Sequence, residues 1–167
     1  QRAAMTTSAT LLKPIRDWFT YKSWTPLTFQ EKTWESHLAG RSGLIQVPTG
    51  SGKTYAATMG PIARMLHSTS ETGIQLLYIT PLRALSRDLA VAIGEPIQTM
   101  QWPLQVGIRN GDTRTADRNR QVKTPPQILI TTPESLCVLL AGRHTEQLFK
   151  NLKTVILDEW HELLGSK

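Results

Sequence analysis

The chain has 167 residues, 40% of them hydrophobic and 19% charged, which allows one domain with a substantial core and excludes a disordered or low-complexity protein. Its apolar stretches break off well before the roughly 20 residues a bilayer crossing needs, and the N-terminus lacks the apolar centre of a signal peptide, so a cytoplasmic protein without a membrane partner is expected. The net charge of +6 favours an anionic partner, while the single cysteine, Cys137, excludes an internal disulfide and is expected as a small buried residue on a helix.

Residues 1–10 are small and polar and predict a loose lead-in; Met5 can be the natural start, with the four residues before it left from a vector. Leu11, Leu12, Ile15, Trp18 and Phe19 fall at helical spacing, with Pro14 expected in the first turn, where proline is tolerated. After Trp24-Thr25-Pro26 a second helix is predicted, with Thr28 as its cap and Glu31 as the third-position carboxylate. Gln30 stands at its start. A Gln amide can pair bidentately with an adenine edge, although a Gln in a first helical turn is ordinarily just solvated.

Residues 44–54 read Leu-Ile-Gln-Val-Pro-Thr-Gly-Ser-Gly-Lys-Thr, an apolar strand that runs into a glycine-rich turn. This is a P-loop. Thr49, Gly50, Ser51 and Gly52 supply backbone N–H groups that cradle phosphate oxygens, Lys53 reaches the outer phosphates, and Thr54 offers a hydroxyl to the Mg2+ that bridges them. Val47 stands where the pattern has its first glycine, a position that needs only a modest side chain. ATP and Mg2+ are the cofactors expected.

Beyond this loop, helix and strand alternate. Helices are predicted over 55–67 and 82–100 and strands over 74–80, 104–108, 128–131 and 154–157, the last read as buried. Asn110-Gly111-Asp112-Thr113 turns the chain, and the basic stretch 113–122 reads as a solvated helix. Pro133 suits the first position of the helix that follows Thr131-Thr132. Such alternation predicts an α/β fold, a parallel sheet flanked by helices, with ligands at the carboxyl edge of its strands. Asp158 and Glu159 follow the last strand, roughly a hundred residues after the P-loop, where one carboxylate can hold Mg2+ and the next can orient and partly deprotonate the attacking water. His161 could hydrogen-bond across the nucleotide cleft to a group that senses the phosphate and so serve coupling, with an ordinary surface histidine as the alternative.

Asp158-Glu159-Trp160-His161, taken with Val-Pro-Thr-Gly-Ser-Gly-Lys-Thr, resembles the DEXH-box helicases of superfamily two. Thr80-Pro81-Leu82-Arg83-Ala84-Leu85 resembles their motif Ia, Gly111-Asp112-Thr113 their glycine motif, Thr131-Thr132-Pro133-Glu134 their motif Ib, and Thr25-Pro26 with Phe29-Gln30 their adenine-reading segment. Within that superfamily the likeness is closest to the large helicase-related group, especially the bacterial ligase-associated helicases. The resemblance implies that residues 24–167 are part of a first RecA-like domain, truncated at its C-terminus, with 1–23 as a lead-in and helix. It further implies an ATP-driven enzyme moving 3′ to 5′ on single-stranded DNA in DNA repair, alongside a DNA ligase and a nuclease. Arg83, Thr113, Arg114, Thr131, Thr132 and Glu134 would line the strand's path, gripping phosphates without reading bases. The resemblance assigns arginine fingers to a second RecA-like domain outside this chain, so the chain alone is expected to bind ATP weakly and to neither hydrolyse it well nor unwind a duplex.

Three other readings stay open at this point: an RNA helicase, a small P-loop phosphotransferase, and a non-catalytic, ATP-gated nucleic-acid-binding module. Glu159 beside Asp158 suits water activation better than transfer to a second substrate.

Overall fold

The computed structural model describes residues 7–41, 43, 52–68 and 70–158. The strand expected ahead of the P-loop, and with it Thr49, Gly50, Ser51, Glu159 and His161, lies outside the described residues. The chain forms two compact units, Gln1–Ser68 and Thr69–Lys167.

The described part of the first unit is helical. Helices α1 (Ser8–Tyr21), α2 (Thr28–Leu38) and α3 (Lys53–His67) bring Leu12, Ile15, Trp18, Phe19, Trp34, Met59 and Ile62 into one core. The α1 helix begins earlier than its apolar spacing suggests, because the Thr7 side chain accepts from the Thr10 N–H at 3.2 Å and caps it. Pro14 therefore lies in the second turn rather than the first, and the burial of Leu12, Ile15, Trp18 and Phe19 offsets the ladder bond it cannot make. Trp18 packs edge-on to Tyr55 at 4.9 Å between ring centroids, and Phe19 edge-on to Trp34 at 5.3 Å. Edge-on pairs of this kind contribute about 0.5–1.5 kcal/mol each beyond the area they bury. The indole N–H of Trp34 donates to the Tyr55 carbonyl at 2.9 Å and so fixes α2 to the first turns of α3.

The expected cap of α2 is corrected. Thr28 is its first residue and Leu27 precedes it. Gln30, not Glu31, closes the turn by accepting the Leu27 N–H at 2.9 Å, while Glu31 pairs with Arg16 of α1 at 2.5 Å.

The described part of the second unit is a four-stranded parallel sheet with flanking helices. Strands β1 (Leu76–Ile79), β2 (Val106–Arg109), β3 (Ile128–Thr131) and β4 (Thr154–Leu157) lie in the order β2-β3-β1-β4. The two central strands, β1 and β3, are buried at every position, which is why their sequences are apolar runs without alternation. Leu77, Ile79 and Leu129 pack with Leu139 of α6 (Pro133–Leu140) and Leu148 of α7 (Thr145–Phe149). Helix α4 (Arg83–Thr99) packs against β2 and β3, and α5 (Thr115–Lys123) joins those two strands.

Two expectations are corrected here. The β4 strand is not buried throughout: it closes one side of the described sheet, and Val155 and Leu157 are exposed at alternate positions. Cys137 lies on α6 as expected but is exposed, since that helix turns Leu139 inward. The short helix α7 carries no apolar spacing long enough to announce it. Among the described residues no helix is long and apolar enough to cross a membrane.

Candidate functional site

In the first unit the candidate residues gather where α3 begins. Gly52 holds φ at +78°, a left-handed conformation that glycine adopts without steric cost, and the chain passes from it into helix at Lys53. The first N–H groups of a helix have no intrahelical partners and carry the positive end of its dipole, so this terminus favours an anion. Lys53 and Thr54 stand in that first turn, each partly exposed. Gln30, 3% exposed, donates from Nε2 to the Gly52 carbonyl at 3.1 Å and accepts from Leu27. The amide expected to read adenine thus also braces the turn that leads into Lys53.

In the second unit all strand pairings are parallel, so the carboxyl ends of the strands share one edge. Several described residues with candidate roles lie along it. Asp158 follows β4, Arg83 opens α4 after β1, Arg109 ends β2, and Thr132 follows β3.

Asp158 is 7% exposed. Its N–H donates to the Ile79 carbonyl at 2.9 Å, and its Oδ2 accepts from the Tyr78 hydroxyl at 3.0 Å. A carboxylate held in one orientation at a strand end suits Mg2+, a hard cation bound through one or two carboxylates together with substrate phosphates.

Arg83, Arg109 and Arg118, with Thr132, Glu134 and Ser135, line a cavity of about 210 Å3 over Gly111. The Arg83 guanidinium lies against the glycine, where a Cβ would fall 2.6 Å from its Cζ, and its Nη1 is 3.3 Å from Asp112 Oδ1. Arg83 sits at a helix N-terminus, where a cation is unfavourable for the helix itself. Burial, and then the charge of Arg118, lower the pKa of Arg109 from its ordinary value. It remains a cation, and an anion in the cavity would relieve that repulsion. Thr132 caps α6, accepting from the Ser135 N–H at 3.4 Å.

The turn that carries Gly111 is tightly specified. Asn110 Oδ1 accepts the Asp112 N–H at 2.8 Å, and the Thr113 hydroxyl accepts the Asn110 N–H at 2.9 Å. Arg118 reaches back from α5, donating from Nε to the Thr113 carbonyl at 3.1 Å and from Nη2 to the Asn110 carbonyl at 2.9 Å.

The expected strand-path residues therefore divide. Arg83, Thr132 and Glu134 line the cavity. Thr131 is fully buried and donates to the Arg109 carbonyl at 2.7 Å, and Thr113 serves the turn. Arg114 is exposed and pairs with Asp117 at 3.0 Å. Arg109, Arg118, Ser135 and Tyr78 were not foreseen. Tyr78 alone carried a signal, since a hydroxyl in an otherwise apolar central strand requires a buried acceptor.

Residues 27–167 match the family described as DEAD/DEAH box helicase. The chain is 38% identical over 172 residues to the Lhr helicase/uracil glycosylase of Escherichia coli K12, covering 91% of this chain and 11% of that protein. It is 35% identical over 173 residues to the ATP-dependent helicase Lhr-Core of Methanocaldococcus jannaschii, covering 94% of this chain and 20% of that one. The solved structure of Mycobacterium smegmatis helicase Lhr bound to ssDNA and AMP-PNP superposes with a TM-score of 0.79 at 34% identity, over 90% of this chain and 20% of that one. The chain thus spans a minor part of each relative's length, and its fold is that of RecA-like helicase domains. Because the family match runs from Leu27 to Lys167 and takes in both the helix-terminal turn at Gly52 and the carboxyl edge of the sheet, the chain belongs to the DEAD/DEAH box helicase family.

Proposed function

We propose that the whole protein containing this chain is an ATP-driven DNA helicase or translocase, and that residues 24–167 form part of its first motor domain, with residues 1–23 as a lead-in. The observation that carries the nucleic-acid half of this reading is the arginine-lined cavity at the carboxyl edge of the sheet, where Arg83, Arg109 and Arg118 meet the N-terminus of α6. Phosphates are the anions such a rim suits. Contacts of this kind hold a strand without reading its bases, and the affinity they confer falls with added salt.

At the nucleotide, Lys53 would pair with the outer phosphates and Thr49, Gly50, Ser51 and Gly52 would offer backbone N–H groups to the others, while Thr54 and Asp158 would hold Mg2+. Bound there, Mg2+ would supply charge neutralisation on the phosphates. Glu159 orients the attacking water and takes up its proton, and His161 couples the nucleotide cleft to the strand. Gln30 links adenine recognition to the turn at Gly52. Movement from 3′ to 5′, a role in DNA repair, and a DNA ligase and a nuclease as partners complete the proposal. The whole-length relatives carry the Lhr helicase name, which supports the motor reading over a phosphotransferase.

The test is ATP turnover by the whole protein, alone, with single-stranded DNA, and with RNA of matched sequence. Strong stimulation by DNA is expected. Preferential stimulation by RNA would keep the motor and change its substrate, and turnover indifferent to both would overturn the reading. Lys53→Ala is expected to weaken nucleotide binding and abolish turnover. Glu159→Gln should bind nucleotide and not hydrolyse it, whereas a non-catalytic ATP-gated module would show no turnover to lose.

A further inference from the structure

Tyr78 and Asp158 stand 80 residues apart in sequence and meet because β1 pairs with β4, with Tyr78 opposite Ile156. The phenol donates to Asp158 Oδ2 at 3.0 Å, between side chains that are 1% and 7% exposed. The neighbouring positions of β1 are Leu76, Leu77 and Ile79, all buried. An apolar residue at position 78 would fill the strand without creating a buried hydroxyl, whose burial is costly unless it is paired. In this bond the hydroxyl's acceptor is the carboxylate at the sheet edge.

We infer that Tyr78 is a positioning residue for the divalent cation held by Asp158, an inference that rests on the proposed nucleotide-site role of that aspartate. The terminal torsion of an Asp side chain is broad and roughly two-fold, so an unrestrained carboxylate samples orientations that do not suit a cation. The phenol fixes the carboxylate plane before the cation arrives, and preorganisation of this kind raises affinity by lowering the cost of ordering on binding. Removing such hydrogen-bond partners of metal ligands typically costs about 10–100-fold in metal affinity. Tyr78 touches neither nucleotide nor cation in this scheme and acts through Asp158.

The experiment is binding of a fluorescent, non-hydrolysable ATP analogue to the whole protein, titrated with Mg2+ and repeated in a chelator. Tyr78→Phe is expected to raise the Mg2+ concentration needed for half-maximal retention by about tenfold or more, with affinity in the chelator unchanged. Should that variant not fold, Tyr78→Leu, which matches Leu76 and Leu77 beside it, carries the same expectation. A wild-type Mg2+ titration, or equal losses with and without Mg2+, would overturn the inference, since a purely structural role moves both affinities together. Asp158→Asn in the same titration separates the two levels. If it too responds to Mg2+ as wild type does, the proposed role of Asp158 fails; if it loses the Mg2+ response while the Tyr78 variants keep theirs, only the inference about Tyr78 fails.

Discussion

Gly52 shows how one residue can serve both backbone and site. Its φ of +78° would cost an L-residue about 1–2 kcal/mol, and a Cβ there would lie 2.6 Å from Gln30 Nε2. Any side chain therefore strains the turn and expels the amide that braces it. Gly52→Ala is expected to lower unfolding free energy by about 1–2 kcal/mol in denaturant titrations and to weaken nucleotide binding, with both effects in the same protein. Gln30→Ala should cost less stability, because it removes the brace without forcing the backbone. Equal stability of Gly52→Ala and wild type would mean that the turn tolerates a side chain and that the glycine is not a steric requirement.

At the scale of elements, α5 is the instructive case. Its sequence reads as a solvated helix, and none of its residues is buried. Arg118 nonetheless leaves that surface to grip two carbonyls of the turn on which Arg83 rests. Arg118→Ala is expected to reduce single-strand affinity about 5- to 20-fold, in line with losing part of two charge-assisted hydrogen bonds, while leaving nucleotide affinity unchanged. Unaltered strand affinity would make the latch dispensable. Periodicity made the strands β1 and β3 and the helices on either side legible, because burial dictates apolar runs and apolar faces. It left unseen what depends on a long side chain's choice of partner, such as Arg118, or on a residue's place in the sheet, such as the exposed side of β4. The P-loop sequence and the Asp158-Glu159 pair were readable as motifs because phosphate and metal chemistry restrict residue type and spacing together. The tyrosine beneath Asp158 was not, since strand pairing decides who meets whom.

For the molecule as a whole, a pH response follows from a histidine of the first unit. His37 of α2 lies against Gly60 of α3, and burial, then Arg64, lower its pKa from the ordinary 6.5. The unfolded chain takes up this proton as pH falls through about 6.5, while the folded chain resists it until lower pH. The unfolded state then binds more protons, so stability decreases with acidification and the effect vanishes well above that value. Melting temperature should therefore fall between about pH 7.5 and about pH 5.5, and His37→Gln should flatten the fall; an unchanged slope would place the acid sensitivity elsewhere. The tryptophans offer a way to watch the first unit at work. Three of the chain's five, Trp18, Trp24 and Trp34, surround or bond to Tyr55, only two residues past Lys53. Their indole emission responds to small changes in ring contact and solvent access, so phosphate binding at the proposed site is expected to change it, which stopped flow would read without any label.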